Sequence, residues 1–308
     1  MAAIERRKFL QSSFALSAFP LAGIPTSAER NYEVITSNNR FKISLNAYSF
    51  NAPLRSGKTD LKEVIEFCAA HGFDAVDLTG YYFPAYPVVP SDEYIYQLKR
   101  RAHQLGVAIS GTGIRNEFAQ ADKLARTKDV SLVKSWIEVA AKLGAPVIRI
   151  FTGVKIPENF SWSEVSNWIT DEIRTCVEYG KEHGVIVALQ NHNDFVKTAD
   201  QTIDILKRVN SEWFGLVLDT GSFVTNEPYN EIAKAAPYAV NWQIKEKLNY
   251  NGKSENMDLV KLFRIIKSSP YRGYLPIETL SAGDPFEIIP PFLKQVRDAM
   301  NTVMNSSS

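Results

Sequence analysis

Eight short apolar runs alternate with amphipathic stretches along most of the chain, and this alternation limits the possible folds more than any other feature. The stretches between the runs, such as DLKEVIEFCAAH and SLVKSWIEVAAKL, carry apolar residues at helical spacing. Repeated strand and helix segments predict an α/β fold with a parallel sheet. The eight runs are KISLNAY (42–48), FDAVDL (73–78), VAIS (107–110), PVIRIF (146–151), VIVALQNHND (185–194), FGLVLDTGSF (214–223), AVNWQIKEK (239–247) and GYLPIETL (273–280).

Two α/β architectures compete for this pattern. Eight βα units in about 270 residues match a single closed (β/α)8 TIM barrel, whose usual size is about 250 residues. A doubly wound open sheet is the alternative, but the first strand is not followed by a glycine-rich phosphate loop, and no second domain accounts for the length. The sequence therefore favours one TIM barrel over residues 29–308.

The first residues have the order of an export signal. Arg6, Arg7 and Lys8 precede an apolar stretch over residues 14–24, and small residues follow it at 26–28. This order predicts a twin-arginine signal peptide over residues 1–28 and a periplasmic protein. A basic, partly apolar N-terminal helix is the alternative. Because the apolar stretch is short and broken by proline and glycine, no membrane anchor is expected in the mature form.

Composition and charge favour a small ligand. The chain is 45% hydrophobic and 22% charged over 308 residues, as in an ordinary globular protein. Its formal net charge of +1 gives no electrostatic reason to expect nucleic acid or an acidic membrane as a partner. Cys68 and Cys176 lie inside helical patterns, so each is interpreted as a small buried hydrophobe without chemistry.

Histidines mark the ends of several predicted helices. In AAHGFDAVDL, AHQLGVAIS and KEHGVIVAL a helix ends near a glycine and a strand follows. Glycine suits the left-handed residue that closes a helix, and histidine in the last turn complements the helix dipole. His71, His103 and His183 are therefore predicted at helix ends, and His192 is the histidine left for chemistry.

The last four strands each end in an oxygen-bearing side chain: Gln190, Asp219, Gln243 and Glu278. Parallel α/β folds build their sites at this end of the strands. Asp219 and Glu278 are surrounded by apolar residues, and a buried carboxylate needs a partner. One divalent cation would satisfy both; an all-oxygen set favours Mn²⁺ or Mg²⁺ over zinc and leaves calcium open. The alternative is that these side chains cap neighbouring loops.

Alternation along the strands selects two further candidates. Gln190 shares a face with His192, and Gln243 shares one with Lys245, while Glu246 points the other way. If the glutamines face the barrel axis, His192 and Lys245 face it too. Both are candidates for proton transfer.

Substrate contacts are expected from the first four strands. Asn46 and Tyr48 on the first strand, Asp77 on the second and Arg149 on the fourth can reach the mouth of the barrel. Arg149 lies within the apolar run VIRIF and needs a buried anionic or carbonyl partner. An internal salt bridge with Asp77 is the alternative.

Taken together, these strand ends resemble the sugar isomerase/epimerase superfamily of xylose isomerase-like TIM barrels, over roughly residues 40–300. The resemblance is carried by SLNAYSF (44–50), VIRIFTG (147–153) and the LQNH, LDTG, WQIKE and PIET segments. It implies one metal ion, held in keto-sugar epimerases by glutamate, aspartate, histidine and glutamate on the last four strands. Carried over by position, these are Gln190, Asp219, Gln243 and Glu278, of which two differ.

The resemblance implies a carbohydrate substrate and a proton transfer beside its carbonyl group. In the epimerases the first and last glutamates exchange protons with the sugar. Gln190 cannot accept a proton at neutral pH, so one hypothesis is an isomerase or epimerase that forms an enediolate or enolate with Glu278 and uses His192 or Lys245 as the second proton carrier.

Two other functions stay open. An exported 3-keto-glycoside lyase or hydrolase would use the same enolate to release the glycosidic oxygen, and a non-catalytic sugar-binding barrel would need no metal. Related barrels that repair abasic DNA use many histidines, and this chain has four. The expected partner is therefore a small carbohydrate and not nucleic acid, and a homo-oligomer is compatible with the sequence.

Overall fold

A computed structural model describes residues 41–192 and 195–306 of the chain, and the predicted export signal at residues 1–28 lies outside them. Eight parallel strands form a closed barrel in the order β1-β10-β7-β6-β5-β4-β3-β2, which confirms the predicted (β/α)8 TIM barrel. The strands are β1 (Lys42–Asn46), β2 (Ala75–Thr79), β3 (Ala108–Gly113), β4 (Val147–Ile150), β5 (Ile186–Gln190), β6 (Phe214–Asp219), β7 (Ala239–Lys245), β8 (Lys247–Tyr250), β9 (Lys253–Asn256) and β10 (Tyr274–Glu278).

Helices between the strands cover the outside of the barrel. Asp60 and Ser161 form capping boxes at the starts of α2 and α5. As predicted, His71 and His183 cap the C-terminal ends of the same helices, and His103 lies in the last turn of α3. The helices are α1 (Asn51–Ser56), α2 (Leu61–Ala70), α3 (Asp92–Gln104), α4 (Lys123–Leu143), α5 (Trp162–Glu182), α6 (Ala199–Val209), α7 (Pro228–Ala235), α8 (Leu259–Ser268) and α9 (Pro285–Asn305).

A continuous apolar core lies between the barrel and its helices and includes the fully buried Trp136 and Trp242. Cys68 and Cys176 are buried free cysteines in this core, and burial raises the pKa of both thiols, that of Cys176 to about 12. Among the helices of the described residues, none has the length and apolar character needed to cross a membrane.

The strands β8 and β9 form an antiparallel hairpin directly after β7. Asn251 and Gly252 at its tip have φ angles of 52° and 73°, as a tight hairpin turn of the Asn-Gly type requires. The sequence prediction extended the seventh strand to residue 247 and missed this hairpin, although the Asn-Gly pair between two short runs is a strong hairpin signal.

Candidate active site

Two adjoining cavities open at the C-terminal ends of the barrel strands. The inner cavity, of about 170 Å³, and the outer cavity, of about 590 Å³, share His192, Lys245 and Leu280. Asp77 and Asp219 do not line the inner cavity, but both are buried beside it, at 5% and 0% exposure. The inner cavity is lined by Asn46, Tyr48, Tyr81, Arg115, Arg149, Phe151, Gln190, His192, Gln243, Lys245, Glu278 and Leu280.

Asp219, at the end of β6, receives hydrogen bonds from two sides. The amide nitrogen Nε2 of Gln190 donates to its Oδ2 at 2.6 Å, and the backbone N–H of Gly221 donates to its Oδ1 at 3.0 Å. The ammonium nitrogen of Lys245 lies 3.5 Å from Oδ2. Asn191 fixes the strand end by exchanging two hydrogen bonds with the Asp219 backbone. The carboxylate is therefore held in one orientation.

Glu278, at the end of β10, is bound by two residues of β7. Gln243 donates from Nε2 to Glu278 Oε2, and Lys245 donates from Nζ to Oε1. Burial raises the pKa of the Glu278 carboxyl, and the Lys245 ammonium limits that rise. The shared partner confirms the prediction that Gln243 and Lys245 face the same side.

Lys245 is a buried cation between two buried carboxylates. Burial alone would lower the pKa of its ammonium, but the charges of Asp219 and Glu278 hold that pKa above its ordinary value. Its backbone N–H donates to Thr220 Oγ1 at 3.0 Å. A Cβ at Gly221 would lie 2.9 Å from Lys245 Cγ, so glycine is needed where the lysine stem passes.

The four predicted metal ligands lie together, but their arrangement does not fit a divalent cation. The Lys245 ammonium already contacts both carboxylates. Each glutamine points its amide nitrogen at a carboxylate, and the reverse orientation would place oxygen against oxygen. Only two of the four are carboxylates, and within residues 41–192 and 195–306 no other His, Cys, Asp or Glu side chain joins them to make a group of three or more that could hold a metal ion. Metal ligation by these side chains stays a prediction, and no chemical step is assigned to it.

Arg149 lies on the opposite wall of the inner cavity with neutral partners. Its Nη1 donates to Tyr81 Oη at 2.7 Å and to the Ile114 carbonyl oxygen at 3.0 Å, and its guanidinium lies 4.5 Å from the Phe151 ring centre. These contacts take the place of the predicted alternative, a salt bridge with Asp77. A Cβ at Gly113 would lie 2.6 Å from Arg149 Nε, so the glycine makes room for the guanidinium.

Asp77, on β2, is a buried carboxyl without a hydrogen bond to the described residues. Burial raises its pKa to about 6, although Arg149 lowers it and Glu278 raises it further. A Cβ at Gly111 would lie 2.6 Å from Asp77 Oδ2. The glycines of β3 therefore give space to side chains from both neighbouring strands.

The two residues predicted from the first strand have different roles. Asn46 Oδ1 accepts from the Tyr48 backbone N–H at 2.8 Å and from Thr79 Oγ1 at 3.1 Å, so much of its polar capacity fixes the turn after β1. The Tyr48 ring lies edge-on to Tyr81, with 6.4 Å between ring centres. Both tyrosines line the inner cavity.

His192 lines both cavities just beyond β5 and contacts the Phe151 ring edge-on, with 5.3 Å between centres. Its ring is partly exposed. It is therefore placed to meet a molecule in either cavity, as its alternation with Gln190 predicts.

Four residues that line the inner cavity were not predicted as site residues: Tyr81, Arg115, Phe151 and Leu280. Each follows a barrel strand by one or two positions. The predicted fourth and eighth strands already contained Phe151 and Leu280, whereas the predicted second and third strands ended at residues 78 and 110, too early to bring Tyr81 and Arg115 into view. The Tyr86 hydroxyl accepts a hydrogen bond from the backbone N–H of Arg115 and so fixes that residue. Glu246 fixes the segment after β10, because it accepts from the backbone N–H groups of Leu280 and Ser281 at 2.9 and 3.1 Å.

Comparison with known proteins agrees with this fold. A family model described as "Xylose isomerase-like TIM barrel" matches residues 65–302. No curated protein matches the chain in sequence.

Several solved structures are similar. D-psicose 3-epimerase from Clostridium cellulolyticum H10, crystallised with D-tagatose, has a TM-score of 0.71 at 17% identity, covering 84% of this chain and 99% of that one. The 3-keto-D-glucoside 4-epimerase from E. coli has 0.68 at 14% identity, covering 84% and 100%. An L-ribulose 3-epimerase has 0.67 at 17% identity, covering 86% and 96%. At these identities the likeness shows the fold alone.

Proposed function

Because the chain belongs to the family of xylose isomerase-like TIM barrels, we propose that it removes a proton from the carbon next to the carbonyl group of a small keto-sugar. The observation that carries this proposal is the contact between the Glu278 carboxylate and the Lys245 ammonium on the wall of the inner cavity. A base and a cationic hydrogen-bond donor side by side are what enolate formation needs.

In the proposed step, a Glu278 oxygen takes the proton from the carbon beside the carbonyl. The electron pair of the broken C–H bond forms the new carbon–carbon double bond, and the carbonyl π pair moves to oxygen. The raised pKa of Glu278 suits this role, because a base is most effective when its pKa approaches the working pH.

The enolate can then be completed in two ways. Return of a proton by His192 or Lys245 to the other face of the same carbon, while the enolate oxygen re-forms the carbonyl, gives an epimerase. Return of the proton to the former carbonyl carbon gives an isomerase; the hydroxyl on the deprotonated carbon then loses its proton to become the new carbonyl, and the enolate oxygen gains a proton. Gln190 cannot supply that proton, since its amide does not titrate and its nitrogen donates to Asp219.

An exported 3-keto-glycoside lyase is the second candidate. The electron pair on the enolate oxygen re-forms the carbonyl, and the carbon–carbon double bond shifts to lie between the deprotonated carbon and the carbon that bears the glycosidic oxygen. The bond from that carbon to the glycosidic oxygen breaks, its electron pair goes to the oxygen, and the oxygen leaves as an alcohol with a proton from His192. The asymmetry between Glu278 and Gln190 favours this candidate, because elimination needs only one base. The predicted export over residues 1–28 also supports it, since glycosides occur outside the cytoplasm.

The test is incubation of the protein in deuterated water with 3-keto-glucoside, D-fructose and D-tagatose, with Mn²⁺ or with EDTA, followed by NMR and mass spectrometry. Deuterium uptake with a new epimer or isomer supports the first candidate, and aglycone release supports the second. Glu278→Gln should lower the rate by about 10²–10⁴-fold, whereas Glu182→Gln, exposed at the end of α5, should leave it unchanged. Sugar binding without exchange or cleavage would favour a binding protein and reject the proposal.

A further inference from the structure

A single ammonium occupies the position between Asp219 and Glu278. These carboxylates are 0% and 2% exposed, and Lys245 lies 3.5 Å from one and in hydrogen-bond contact with the other. Two buried carboxylates close together are stable only with a cation between them. Lys245 supplies that cation from within the chain.

The two glutamines fit an ammonium better than a metal ion. Gln190 and Gln243 each donate one N–H to an oxygen of these carboxylates. Two carboxylates and one ammonium leave one negative charge, and these hydrogen bonds stabilise it. Gln190 Oε1 is buried and has no hydrogen-bond partner among the described residues. To bind a metal ion between Asp219 and Glu278, both glutamines would have to turn their amide oxygens to the positions that their nitrogens occupy.

The lysine is held firmly and also reaches the ligand space. Thr220 fixes its backbone, and Gly221 lets its stem pass. Lys245 lines both cavities. Of the three N–H groups of an ammonium, one donates to Glu278 and one points to Asp219, which leaves one for an oxygen in the cavity.

We propose that the Lys245 ammonium replaces a divalent metal in this barrel: it holds Asp219 and Glu278 together and donates a hydrogen bond to the carbonyl oxygen of the substrate. The first role depends only on the described contacts, whereas the second rests on the proposed function. A cationic donor at that oxygen stabilises the charge that develops in an enolate.

Removal of the lysine should convert the centre into a metal site. In Lys245→Met two carboxylates remain unpaired, and rotation of the two amides turns their oxygens inward. This gives four oxygen ligands of the kind that Mn²⁺ accepts. Lys245→Arg keeps the positive charge and should not gain a metal.

The experiment is titration of the full chain with MnCl2, followed by calorimetry and by the EPR signal of free Mn²⁺. We expect no stoichiometric binding by the wild type or by Lys245→Arg, and about one Mn²⁺ bound by Lys245→Met at least tenfold more tightly than by the wild type. Lys247→Met, on the exposed start of β8, controls for the loss of a lysine near the cavity.

Several results would overturn the proposal. One Mn²⁺ bound tightly by the wild type would show that the lysine does not exclude the metal, and a folded Lys245→Met that binds none would show that the centre is not a vacated metal site. Should Lys245→Met not fold, the melting temperature of the wild type still decides, because an ion that binds the native state raises it; a rise with Mn²⁺ that EDTA reverses refutes the proposal. These readouts need no substrate, so they stand even if every keto-sugar assay fails.

Discussion

The two halves of the barrel each contain a buried cation, with different partners. In the half formed by β5, β6, β7 and β10, Lys245 contacts two buried carboxylates. In the half formed by β1 to β4, Arg149 donates to a phenol and a backbone carbonyl. The first half pairs one ammonium with two carboxylates. The second half contains a guanidinium and the Asp77 carboxyl without an ion pair between them.

This difference assigns different tasks to the two walls of the inner cavity: the Lys245 wall, formed by β5, β6, β7 and β10, and the Arg149 wall, formed by β1 to β4. A cation whose partners are anions is fixed in place and stabilises the fold. A cation with neutral hydrogen-bond partners keeps more of its electrostatic attraction for an incoming oxygen than a cation in contact with two carboxylates, because hydrogen bonds to neutral groups do not cancel its charge. Against the effect of burial, the charges of Asp77 and Glu278 act on Arg149 without a hydrogen bond and help to raise its pKa. The Arg149 wall is therefore suited to substrate binding, and the Lys245 wall to chemistry.

The largest expected effect on stability is the difference between removing the cation of Lys245 and removing the cation of Arg149. Lys245→Met leaves two buried carboxylates without a cation and should lower the free energy of unfolding by about 3–5 kcal/mol. Arg149→Met should cost less, because its partners are neutral. Urea unfolding in EDTA measures both, and adding Asp219→Asn to Lys245→Met should recover part of the loss. Equal losses for the two single variants would remove the distinction between the walls.

A smaller effect is expected from the Asp77 carboxyl. Its pKa is about 6 in the folded protein, against an ordinary value near 4. The folded state then holds the proton more tightly than the unfolded chain, so the free energy of unfolding falls as the pH rises from about 4 to about 6, by at most about 3 kcal/mol. Asp77→Asn should remove this fall and be the more stable protein at pH values above about 6.

Unfolding of the wild type and Asp77→Asn at a series of pH values tests this expectation. The exposed Asp298→Asn on α9 is the control for loss of a carboxyl. If the difference between Asp77→Asn and the wild type does not change with pH, the carboxyl is not destabilised by burial, and the charge balance of the Arg149 wall has to be revised.

The smallest effect concerns the hydrogen bond from Arg149 to Tyr81. Tyr81→Phe removes the oxygen that accepts from Arg149. The free energy of substrate binding should weaken by only about 1 kcal/mol, because cavity water can replace the lost hydrogen bond. With a keto-sugar that is turned over, the KM should rise about fivefold while kcat changes little. Tyr82→Phe, which loses a part-buried hydrogen bond to Asn51 and does not line the inner cavity, should leave the KM unchanged. A fall in kcat alone would move Arg149 from binding to chemistry.

Much of the fold could be predicted because the barrel repeats one local unit. Apolar runs that end in polar residues located all eight barrel strands, and alternation placed Gln243 and Lys245 on one side. The β8–β9 hairpin was missed because its strands are short and mostly polar, so no apolar run marks them.

The charge arrangement could not be predicted from the sequence. Whether Lys245 contacts Asp219, Glu278 or both depends on the stagger of β6, β7 and β10 around the barrel. The partner of Arg149 depends likewise on Gly113, which opens space beside the guanidinium, and on Tyr81 beyond the end of β2. Such contacts join distant parts of the chain and leave no local pattern.

The β8–β9 hairpin offers a position for a fluorescent reporter of ligand binding. Ser254 lies exposed on β9 and lines the outer cavity, while both native cysteines are buried with raised thiol pKa values and so react slowly with alkylating reagents. Ser254→Cys would therefore take up a single environment-sensitive dye. Its fluorescence would allow a library of unmodified sugars to be screened for entry into the barrel without a turnover assay.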